Sequence, residues 1–218
     1  MQAPSPAASW SRRMLQLGPS RIALALAILL ALVALAMPLW VVAASETNGD
    51  RFSRLYGWTM VTDERYENGI WDQTTYQSYG SPNFNERTLS AVMATSYALV
   101  LLFLVLLIVA IVLFSWRRTR LLPPIGLLIL SLLVVALGIV ALMYPVLAVP
   151  AAYGDLQPLP LSGWSGSTTF FGAALSWGGA SGWWLLLVSL ILGVIGVVLP
   201  YVESVRLGPS PQTWRAPP

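Results

Sequence analysis

Four carboxylates in one polar stretch, Asp63, Glu64, Glu67 and Asp72, are the side chains here best suited to chemistry. Together they could line an ion path or hold calcium. Calcium takes about six to eight oxygens, and the alternating Asp-x-Asp-x-Asp-Gly loop that supplies them does not occur. The four are therefore expected to form a solvated acidic rim, and no metal site. A glycosidase would need two carboxyl groups flanking one bond, and nothing in this spacing points to that. The chain has no His and no Cys. That removes the Ser-His-Asp triad, imidazole and thiolate ligands, the thiolate nucleophile and every disulfide. No catalytic residue and no cofactor are expected, and the chain reads as non-enzymatic. A second set, Trp58, Tyr66, Tyr76 and Tyr79, suggests recognition instead. Such aromatics are favoured in interface cores, so they form a candidate partner surface.

The elements that must carry these residues follow from hydropathy. Only 10% of the 218 residues are charged and 56% are hydrophobic, with a mean hydropathy of +0.70. Soluble domains average about 25% charged. Residues 22–42, 89–114, 121–144 and 182–201 contain no Asp, Glu, Lys or Arg. Each is long enough to cross roughly 30 Å of hydrocarbon, which takes about 20 helical residues. In lipid the backbone must satisfy itself, so these runs are expected to be helices. The first run has 21 residues. A secretory signal's apolar core is only about 7–15 residues, so this run is expected to be a retained span.

Arginine placement orients the spans. The two tails and the link between spans two and three carry eight arginines and one acid, while the other side carries four arginines and eight acids. By the positive-inside rule both termini are cytoplasmic and the protein is a multi-pass protein of the plasma membrane. The net charge of +3 is a sum of opposites and implies no nucleic acid. Residues 21–206 form one membrane domain between disordered tails, 1–20 and 207–218, rich in Pro, Ser and Gln. The five residues from Trp116 to Arg120 make a tight turn, so spans two and three are antiparallel neighbours. Ala23, Ala27 and Ala31 on span one, and Ser189, Gly193 and Gly196 on span four, are small residues at helical spacing. They are expected to pack helices within the chain.

The outer loops are residues 43–88 and 147–181. In the first, Asn68-Gly69 signals a hairpin, because both central residues of a type I′ turn need positive φ. A two-residue turn sets Glu67 opposite Ile70, Tyr66 opposite Trp71 and Arg65 opposite Asp72, with Trp58 facing Tyr79 further out. In the second loop, Pro150, Pro158 and Pro160 predict an irregular first half. The stretch 167–171 can add one short strand, and this loop is expected to cover the hairpin's open edge.

Several of these residues also form familiar motifs. Met37-Pro38-Leu39-Trp40 resembles the Met-Pro-x-Trp with which claudins leave their first helix. Tyr66-Glu67-Asn68-Gly69-Ile70-Trp71 is similar to the claudin Tyr-Glu-Gly-Leu-Trp, and Arg87 resembles the arginine before the claudin second span. Gly182-Trp183 at the start of span four is similar as well. The resemblance covers about residues 22–206 and extends to the wider tetraspan superfamily that includes peripheral myelin proteins. It implies a four-helix membrane bundle topped by an extracytoplasmic antiparallel β-sheet, with four strands from the first loop and one from the second. It also implies a motif set of Trp40, Gly69, Ile70, Trp71 and Arg87, fastening the sheet to the helix ends. Such proteins work by contact, sealing and selecting between cells or joining larger complexes as auxiliary subunits. The expected function is thus contact with a membrane-protein partner or a second copy; the alternative is a cation-selective pore or barrier. Claudins follow their Gly-Leu-Trp with two cysteines. Thr74 stands at the first of those places, so this sheet must hold by packing and hydrogen bonds alone.

Overall fold

The computed structural model describes residues 18–82, 84–115, 124–154 and 161–206. Four helices, α1 (Pro19–Ala36), α2 (Arg87–Ser115), α3 (Pro124–Gly154) and α4 (Ser181–Arg206), are long and apolar enough to cross a membrane. Each packs against two others in a ring, α1 on α2, α2 on α3, α3 on α4 and α4 on α1. The tight turn foreseen at 116–120 and most of both tails lie outside the described residues. Pro19 and Ser20, expected in the tail, already belong to α1.

The small-residue rows meet each other inside the chain. Ala27 and Ala31 are fully buried, and the Ser189 hydroxyl donates to the Ala27 carbonyl at 2.7 Å. The Ser20 hydroxyl donates to the Gly196 carbonyl at 2.6 Å. A Cβ on Gly196 would stand 2.7 Å from the Leu24 side chain, so glycine is what lets α1 and α4 approach.

Above the helices lies one antiparallel sheet of six strands in the order β4-β3-β2-β1-β6-β5. The first loop supplies β1 (Trp40–Ser45), β2 (Arg51–Tyr56), β3 (Met60–Glu67) and β4 (Ile70–Ser78), and the second supplies β5 (Gly166–Phe170) and β6 (Ala173–Gly179). Three expectations need correction. The apolar run 22–42 is not one helix: α1 stops at Ala36 and Trp40 opens β1. Pro38 disfavours helical backbone at Met37, which is extended at φ −107° and ψ 153°. The β-branched Val41 and Val42 then enter a central strand, paired on both sides. Next, Pro150 does not open an irregular loop; α3 carries Pro145 and Pro150 and runs on to Gly154. Finally, the second loop contributes two strands where one was expected. β6 pairs with β1, leaving β4 free at the far side.

The Asn-Gly turn forms as expected, with φ 51° at Asn68 and 76° at Gly69. Glu67 pairs with Ile70 and Tyr66 with Trp71. A bulge between Arg65 and Tyr66 then sets Arg65 against Gln73 and skips Asp72. Arg65 instead reaches Glu67 at 3.0 Å. Trp58 lies between strands and does not pair with Tyr79.

Candidate interaction site

Side chains alternate across a strand, so the pairings sort the sheet into two faces. Trp40, Tyr56 and Val61 share a row on one face, with Val42, Arg54 and Asp63 in the next row up. The lowest row meets the helix ends and is fully buried or nearly so. Trp40 packs with ring centroids 5.4 Å from both Tyr56 and Tyr153, and its indole N–H donates to the Trp164 carbonyl at 2.9 Å. Trp58 is also buried, its N–H donating to the Ala34 carbonyl at 2.8 Å at the end of α1. These indoles close a loop carbonyl and a helix-end carbonyl and fill space at once, as an apolar ring with one polar tip is suited to do.

One row above this aromatic floor sits a partly buried ion cluster. Arg54 on β2 lies 3.3 Å from Asp63 on β3 and 3.2 Å from Glu86, the residue before α2. Its guanidinium also lies over the Tyr56 ring, 5.7 Å from the centroid. One positive charge faces two negative ones. Burial pushes the Glu86 carboxyl above the ordinary carboxylate range, against the pull of Arg54, and does the same at Asp63. Burial likewise keeps the Tyr56 and Tyr79 hydroxyls protonated far above their usual range. The second Glu86 oxygen is buried without a well-aligned hydrogen bond. This arrangement ties two strands to a helix start.

The expected site residues divide between buried and outward positions. Tyr79 is half-buried, its hydroxyl donating to the Gly57 carbonyl at 2.8 Å and its ring 5.2 Å from Phe84. Trp58 and Tyr79 thus brace the junction and offer little surface to a partner. Tyr76 is 71% exposed, Trp71 59% and Ile70 72%, while Tyr66 is half-buried opposite Trp71. Gly69 forms the turn, its N–H donating to Gly49 at 3.0 Å. Arg87 is exposed, and none of the described residues takes its guanidinium in an ion pair. The acids do not converge. Asp63 and Glu64 are neighbours on β3 and point to opposite faces, Glu67 is at the tip, and Asp72 is the residue the bulge skips. Among the described residues no three acids gather as a metal would need.

Arg54, Glu86 and Tyr153 are the residues that sequence reasoning missed. One signal was present: Phe52, Arg54 and Tyr56 alternate on one face of a strand, a charge between two aromatics. Of the two edge strands, β4 and β5, β4 is the longer, carries a single charge and bears exposed aromatics, and an edge of this kind is a template for association. Comparison with protein-family models finds no match, and comparison with curated protein sequences finds none either.

Proposed function

We propose that this chain is a non-enzymatic, claudin-like protein of the plasma membrane that works by contact. The four apolar helices cross the bilayer, both termini are cytoplasmic, and the sheet stands outside. The contact surface is the β4 side of the sheet, where it meets a membrane-protein partner or another copy of the chain. The observation that carries this reading is the exposure of Ile70, Trp71 and Tyr76 along the edge strand β4, which pairs on one side only, while Trp40 and Tyr56 in the sheet's lowest row are buried. Exposed aromatics beside open backbone donors and acceptors supply both the anchor residues and the hydrogen bonds of a recognition surface.

Two measurements test it. The chain lacks native cysteine, so a single Gln73→Cys or Arg206→Cys change reports sidedness with a membrane-impermeant maleimide. Labelling in intact cells is expected at position 73 only; labelling at 206 without permeabilisation overturns the orientation. A photo-crosslinking residue at Tyr76 is expected to trap one discrete protein adduct, lost in Trp71→Ala. The same adduct yield from position 76 as from a helix position such as Leu128 would sink the contact reading.

A further inference from the structure

Where the sheet meets the end of α1, a groove of about 280 Å³ opens between the two. Leu35, Met37 and Pro38 come from the helix end, and Leu55, Trp58 and Met60 from β2, β3 and the turn between them. Trp58 backs the groove, buried and bonded through its indole N–H to the Ala34 carbonyl. Met37 and Met60 flank it and are exposed.

This groove is the upper end of a longer apolar surface. Leu26, Leu29 and Val33 on α1, and Met37 just past it, recur at helical spacing on one side, and all four are exposed. The opposite side of α1 buries Ala27, Ala31 and Ala34 against its neighbour helices. The exposed stripe is about 17 Å long at 1.5 Å per residue, and in a bilayer it faces acyl chains. An acyl chain lying on it leads directly into the groove, at the level where lipid headgroups begin. No Asp, Glu, Lys or Arg lines the groove, so a charged soluble ligand finds no counter-ion there.

Polar groups at the groove select the headgroup. The last turn of α1 carries no basic residue, and the Leu35 and Ala36 carbonyls receive no hydrogen bond from any described residue. Helix carbonyls point toward the C-terminal end, which carries about half a negative charge. They call for a donor that is also cationic. A primary ammonium brings three N–H donors, and a trimethylammonium brings none. The Thr59 and Thr62 hydroxyls line the same groove without a partner among the described residues, free to donate to phosphate or ester oxygens. We infer that this groove seats one phospholipid of the outer leaflet, with an acyl chain on the α1 stripe and a primary ammonium headgroup over the helix end, so that ethanolamine is preferred to choline. The inference rests on the membrane reading and is independent of what Tyr76 touches.

Native mass spectrometry of the full chain tests it, after release from nanodiscs holding equal phosphatidylethanolamine, phosphatidylcholine and cholesterol. One retained phosphatidylethanolamine per chain is expected, favoured about tenfold over phosphatidylcholine, the scale of one hydrogen bond to a charged group. Ala36→Trp plugs the groove from an exposed position and should abolish retention. Thr59→Val combined with Thr62→Val should lower retention about fivefold, and this variant keeps the test valid should Ala36→Trp disturb the helix end. Leu132→Trp, on the exposed side of α3, should change nothing. No retained lipid, equal retention of the two phospholipids, retention of cholesterol alone, or retention insensitive to both groove variants overturns the proposal. Nanodisc incorporation and maleimide labelling of Gln73→Cys read the membrane placement separately, so a chain that passes both and retains no lipid sinks this inference alone.

Discussion

Trp40 and Trp71 belong to one sheet, and their surroundings are opposites. Trp40 is fully buried, touches Tyr56, Tyr153 and Trp164, and hydrogen-bonds a backbone carbonyl 124 residues away. Trp71 stands largely in the open, its N–H donating to Thr74 three residues along at 3.1 Å. The first joins β1, β2, α3 and the second loop into one body. The second is held locally and leaves most of its ring for something else. In the sequence both residues read alike as fasteners, and position in the sheet is what separates them. An aromatic next to the helices stabilises; one at the tip is free to recognise.

The largest expected effect is at Trp40. Trp40→Ala should lower stability by about 3–5 kcal/mol, the range for removing a buried Trp, as read by thermal unfolding in detergent. A loss no greater than that at Trp71 would break the contrast. Gly182→Ala should follow. Its Cβ would stand 2.7 Å from the Pro38 carbonyl oxygen and 2.8 Å from that of Met37, both backbone atoms, where α4 begins beside the end of α1. Overpacking of this kind costs about 1–3 kcal/mol.

A smaller, pH-dependent effect is expected at Glu86. Its folded pKa is raised, so the folded state holds the proton more tightly than the unfolded chain. That contribution is present below the ordinary carboxylate range and is lost as pH rises through the folded value. Stability should therefore fall with rising pH across that window. Glu86→Gln, which mimics the protonated acid, should flatten the slope and be no less stable than the parent at pH 8. Asp63 shifts the same way, so part of the slope should remain. The smallest effect is at Trp71, where alanine should cost at most about 1 kcal/mol, the scale of one cross-strand pair. Contact should suffer far more than folding.

The long helices were legible because charge is confined to their ends, and the Asn68-Gly69 turn because few residues accept positive φ. The end of α1 was not. A central strand and a buried helix both read as an unbroken apolar run, so residues 37–42 fit either until Pro38 and the pairing of β1 are seen together. The bulge at Arg65/Tyr66 is invisible for a related reason, since hairpin arithmetic assumes one partner per residue. At the candidate site, sequence density pointed to Trp58 and Tyr79 along with Tyr66 and Tyr76. Composition cannot say which way a ring turns, and two of the four turn inward. Arg87 drew notice for its place before a helix, whereas Arg54 takes the ionic role. Burial of a charge depends on elements far apart in the chain, here β2, β3 and the start of α2.

The way β1 joins the helices has a mechanical consequence. Only three residues separate Ala36 from Trp40, and the ladder continues below the strands, with Ala180 N–H donating to Leu39 and Gly182 N–H to Pro38. Helices α1 and α4 therefore enter β1 and β6 through a hydrogen-bonded seam with no slack. The sheet is a rigid pointer on that helix pair. Six residues of β1 span about 20 Å at roughly 3.3 Å per residue, so a helix tilt of about 10° would swing the tips by about 3.5 Å. Whatever tips the helix pair also steers the exposed strand ends.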